Sequence, residues 1–65
     1  MISKENIGKE LILFMVENDL TVEEVAKQVK SSAASVYRWM NGKNMTNQNY
    51  VRLQKYMENY NKTQN

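Results

Sequence analysis

The stretch from Ser32 to Asn41 reads S-A-A-S-V-Y-R-W-M-N. Helical spacing divides it into two faces. Val36, Trp39 and Met40 lie three and four residues apart and form one apolar stripe. Ala33, Ala34, Tyr37, Arg38 and Asn41 fall on the other side. That face is methyl-sized at its N-terminal end, then carries an aromatic hydroxyl, a guanidinium and an amide. It holds no acid, whereas an exposed helix in a soluble domain is ordinarily covered by Glu and Lys. A small leading edge followed by long hydrogen-bonding side chains suits the major groove of DNA. A core helix with an unremarkable surface is the plainer alternative, and the flanking chain decides between them.

The 65 residues are expected to form a single domain, close to the lower size limit for a core that folds unaided. There is no cysteine and no histidine, so neither a disulfide nor the common metal ligands are expected, and no cofactor or metal is assigned. No apolar run approaches the ~20 residues of a membrane span. Gly8, Lys9 and Glu10 interrupt the apolar residues after Ile7, so no signal-peptide pattern is expected. A cytoplasmic protein without a membrane partner is the expectation. Charge is unevenly placed. Residues 1–24 hold two lysines against six acids, and residues 25–65 hold seven cations against Glu58 alone. One basic side suggests a polyanionic partner.

With no proline, two glycines and no sustained period-two alternation, the chain is expected to be all-helical. Ser3 is the expected N-cap of a first helix with Glu5 in its first turn. Ile7, Leu11, Phe14 and Met15 form its stripe, widened on one flank by Ile12 and Val16, and Asn18-Asp19 ends it. Gly8 costs this helix about 1 kcal/mol relative to Ala. Thr21-Val22-Glu23-Glu24 reads as a capping box opening a second helix whose buried face is Val22, Val25, Ala26 and Val29. That helix ends near Lys30, and the next opens at Ser32. Two short helices on so tight a turn define a helix-turn-helix core at about 21–41. Asn41-Gly42 is a natural C-cap. Thr46 is expected to cap a fourth helix from about Asn47 to Tyr60, leaving residues 61–65 as a frayed tail. Tyr56 and Tyr60 either pack on the first helix or form a self-association surface.

The segment Leu20 to Lys43, L-T-V-E-E-V-A-K-Q-V-K-S-S-A-A-S-V-Y-R-W-M-N-G-K, resembles the Cro/CI-type helix-turn-helix domain of phage repressors and small bacterial regulators. Its landmarks here are Leu20, Thr21, Ala26, Ser32, Val36, Arg38-Trp39 and Asn41-Gly42-Lys43, and the resemblance extends over about residues 7 to 57. It implies a compact, lambda-repressor-like domain of four helices, or five. It implies that the 32–41 helix enters the major groove of double-stranded DNA while the second helix crosses the backbone. Carried onto this chain, Ala33, Ala34, Tyr37 and Arg38 are the candidate base contacts. Thr21, Ser32, Asn41, Lys43 and Asn44 are the candidate phosphate contacts. Three departures stand out. Lys30 occupies the turn where the family has Gly, which demands a left-handed or altered backbone there. Met45 replaces a Pro, and the chain leaves little room for a fifth helix.

The function these features imply is that of a sequence-specific transcriptional regulator, such as a small phage or mobile-element repressor. It would act as a homodimer or as cooperative monomers on DNA. The alternative is a protein-interaction module of the same fold acting on another regulator, an antirepressor or accessory subunit. Single-stranded or RNA binding is less favoured, because Trp39 reads as core rather than as a stacking platform. Catalysis and a small-molecule substrate are not expected, as there is no His, no Cys and no glycine-rich phosphate loop.

Overall fold

The amphipathic stripes become four helices in a computed structural model that describes residues 3–43 and 45–64, with side chains as far as Tyr60. They are α1 (Ile7–Asn18), α2 (Val22–Gln28), α3 (Ala33–Met40) and α4 (Asn47–Gln64). No strand and no fifth helix occurs among the described residues. The Cα radius of gyration of 10.6 Å matches the ~11 Å of a compact chain of this length. α3 packs against both α2 and α1, and α1 also packs against α4.

The core draws on every helix. Ile7, Leu11, Phe14 and Met15 come from α1, and Val22, Val25 and Ala26 from α2. Val36 and Trp39 come from α3, Leu53 and Met57 from α4, and Val29 and Met45 from the connections. Ile7, Leu11, Val25, Val36 and Leu53 are sealed from solvent. The ends of the first three helices share one solution. Asp19 (φ 54°), Lys30 (φ 57°) and Gly42 (φ 80°) are left-handed. After each of them, the next residue's N–H reaches back five residues: Leu20 to Met15 at 2.9 Å, Ser31 to Ala26 at 2.9 Å, Lys43 to Arg38 at 3.0 Å. These are Schellman motifs, which satisfy carbonyls a helix end otherwise leaves open. Of the two alternatives at Lys30, a left-handed or an altered backbone, the left-handed one is present.

Four expectations change. α1 starts at Ile7 rather than just after Ser3, because the Ser3 carbonyl accepts the Asn6 N–H at 3.1 Å and closes a separate turn. Asn6 is the N-cap and makes no side-chain cap bond, and Glu10 rather than Glu5 is the acid of the first turn. Ile12 and Val16 do not widen the buried stripe, since Val16 is 75% exposed and Ile12 37%. Only one arm of the capping box forms. Thr21 Oγ1 accepts the Glu24 N–H at 3.1 Å, while the Glu24 side chain lines a groove with Tyr56 and Tyr60. The backbone of α4 runs to Gln64, four residues beyond the expected end.

Gly8 explains how α1 and α3 cross. A methyl group at Gly8 would fall inside the contact distance of the Trp39 carbonyl oxygen. The residue that costs α1 helix propensity thus allows its backbone to lie against the end of α3. The same carbonyl accepts the Gly42 N–H at 3.1 Å, so the crossing and the turn after α3 share an atom.

Candidate nucleic-acid interface

The candidate residues depend on how α3 is held. Ser32 is extended (φ −98°, ψ 156°), and its hydroxyl oxygen accepts the Ser35 N–H at 3.1 Å. This caps the helix as its residue type predicts. Val36 and Trp39 turn inward at 0% and 3% exposure, which fixes the opposite face outward. Ala34, Tyr37 and Arg38 are exposed there, and Asn41 and Lys43 continue the exposed run past the helix end. The Schellman bond from the Lys43 N–H to the Arg38 carbonyl ties Lys43 to α3.

Ala33 is the exception among the proposed base contacts. It is half-buried and packs on the core, because it shares a stripe with Val36 and Met40 at i, i+3 and i+7. Its methyl group therefore contributes to packing, and Ala34 supplies the small leading edge alone. Thr21 is exposed at the start of α2 with its oxygen engaged by the Glu24 N–H, which leaves the hydroxyl hydrogen to donate. Asn44 lies outside the described residues.

Two groups missed by the sequence reading join this surface. Ser35 Oγ accepts from Arg38 Nη2 at 3.3 Å and from the Ser32 hydroxyl at 3.1 Å. Ser32, Ser35 and Arg38 are spaced three apart, so one chain of hydrogen bonds runs along the face and steadies the guanidinium. The three-residue spacing was the available signal. Lys4 is the second group. It lines a groove of about 380 Å³ with Gly8, Trp39, Gly42 and Lys43, and its ammonium donates to Asn47 Oδ1 at 2.9 Å. Two lysines thus stand beside the turn that follows α3.

Tyr56 and Tyr60 of α4 pack on α1. Phe14 of α1 meets Tyr56 edge-on at 5.7 Å and Tyr60 at 5.2 Å between ring centroids. Burial first, then the neighbouring Tyr60 and Glu24, raise the Tyr56 phenol above its ordinary value of 10.0. Charge is sorted around α4. Glu10, Glu17 and Glu58 line one groove with Phe14 and Met57. Lys30, Arg52 and Lys55 line another with Tyr56.

No group of three or more acids, histidines or cysteines that could hold a metal ion occurs among the described residues. No helix among them is long and apolar enough to cross a membrane. No family model, curated protein or solved structure matches the chain.

Proposed function

We propose that the chain is a sequence-specific double-stranded-DNA-binding regulator of the Cro/CI helix-turn-helix type, a cytoplasmic repressor of phage or mobile-element character. The observation that carries this reading is the outward face of α3. It is acid-free and presents Ala34, Tyr37 and Arg38 over an opposite face sealed into the core.

In this reading α3 lies in the major groove. Ala34 admits close approach, and the Arg38 fork pairs with guanine O6 and N7, a contact worth ~1–3 kcal/mol of discrimination. Tyr37 donates its phenol to a base or phosphate. Thr21, Asn41 and Lys43, joined by Lys4, hold the DNA backbone and set the register without reading sequence, as does Ser32 when its hydroxyl hydrogen turns from Ser35 Oγ to a phosphate. No step calls for a cofactor or a catalytic group. One short helix face covers few base pairs, so two copies act on half-sites ~34 Å apart or as neighbours.

Two substitutions separate the roles. Arg38→Ala is expected to lower the preference for the operator over single-base variants at one position by about tenfold or more. Lys43→Ala is expected to weaken all sequences alike and to reduce the salt slope by ~1. Competition binding against a set of operator variants reads both. Equal weakening of specific and random DNA by Arg38→Ala contradicts the base-reading role.

A second reading, a protein-interaction module acting on another regulator, is favoured by the exposed aliphatic side chains of α1. It calls for saturable binding to a protein and none to DNA at moderate salt.

A further inference from the structure

α1 leaves Ile12, Leu13 and Val16 exposed at 37%, 55% and 75%. They sit on one flank, because Leu13 is followed three residues later by Val16 and Ile12 lies four before Val16. Three large aliphatic side chains grouped on so small a domain are what an association surface leaves uncovered in one copy. The tyrosines of α4 are less free, as their rings are already engaged by Phe14.

We propose that this face of α1 pairs antiparallel with the same face of a second copy, with Leu13 on the two-fold axis. The charges select this arrangement. Lys9 lies four residues before Leu13 and Glu17 four after, both exposed, each ~6 Å from Leu13 along the helix axis. Reversing the second copy about Leu13 sets each Lys9 against the other copy's Glu17. A parallel pairing sets Lys9 against Lys9 and Glu17 against Glu17. Glu17 also lines the groove with Glu10 and Glu58, so the incoming ammonium meets further acids. The six aliphatic side chains form a seam between the two ion pairs. An interface this small is weak by itself, which suits a dimer completed on adjacent half-sites. In that purpose, though not in its geometry, the proposal rests on the DNA-binding reading.

The test is sedimentation equilibrium of the full chain without DNA, from micromolar to millimolar concentration, with circular dichroism to confirm folding. The wild type should move from 7.7 kDa towards twice that mass. Leu13→Glu, a substitution at an exposed position, should weaken dimerisation by about a hundredfold. Lys9→Glu should weaken it by about tenfold, and Lys9→Glu with Glu17→Lys should return it close to the wild-type value. A wild type that stays monomeric throughout overturns the proposal. So does a Leu13→Glu variant that dimerises normally, or a charge exchange without recovery. Binding to a single half-site is measured alongside, and Leu13→Glu should match the wild type there. Dimers that respond to the substitutions as stated but bind no DNA support the interface and count against the functional reading alone.

Discussion

Lys30 holds a left-handed backbone at φ 57° in the turn that aims α3. For a residue with a β-carbon that conformation costs ~1–2 kcal/mol. Glycine escapes it but loses 0.5–1 kcal/mol, roughly, through its freer unfolded chain. The conformational term is the larger. Removing the Lys30 charge from the groove it shares with Arg52 and Lys55 acts in the same direction. Lys30→Gly is therefore expected to stabilise the domain by about 0.5–1 kcal/mol, read as a higher midpoint in urea with an unchanged m-value. A lower midpoint contradicts the strain argument. At this scale the site was only partly legible in the sequence. The outward set Ala34, Tyr37, Arg38 and Asn41 follows from helical spacing and stands exposed. Ala33 was misplaced because a small residue at the edge of a stripe gives no hydrophobic signal of its own. Ser35 was missed because its part depends on the direction Arg38 takes, which spacing permits but does not dictate.

Between elements, the closest constraint is the crossing of α1 over α3 at Gly8 and the Trp39 carbonyl. Alanine at position 8 gains about 1 kcal/mol of helix propensity. It also forces two backbones apart, and such overpacking costs ~1–3 kcal/mol. A backbone carbonyl cannot rotate aside as a side chain does, so the upper part of that range applies. Gly8→Ala is expected to lower stability by a net 1–2 kcal/mol, roughly, and Tm by about 5–15 °C by calorimetry. Weaker DNA binding should follow, because the Trp39 carbonyl also holds the Gly42 turn that carries Lys43. A Gly8→Ala protein that is more stable than the wild type removes the reason given for this glycine. The elements themselves were well signalled. Thr21, Ser32 and Thr46 each cap the helix they precede, with hydrogen bonds of 3.1, 3.1 and 3.2 Å. Ser3 failed as a cap because the chain spends its carbonyl on a local turn with Asn6. Ile12 and Val16 failed as core because no neighbouring helix reaches that flank of α1, a fact of packing rather than of periodicity.

Across the whole molecule, the charge imbalance read along the sequence becomes a division in space. Acids gather between α1 and α4. Cations gather beside α2 and α4, and Lys4 and Lys43 stand beside the turn after α3 with Glu5 in the same groove. The acid-free face of α3 is part of this division, and it gives the DNA-binding reading its electrostatic content. The all-helical class was legible from the lack of proline, the two glycines and the absence of period-two alternation. The partner is not legible in that way, since a basic surface attracts any polyanion and only a difference between sequences shows base reading. The most direct measurement is fluorescence anisotropy against salt, with DNA from around the chain's own coding region and a scrambled control. The account predicts binding to the native DNA at least about a thousandfold tighter than to the control, with log K falling steeply and linearly against log salt. Equal affinity for the two DNAs, or no binding to either at low salt, contradicts it.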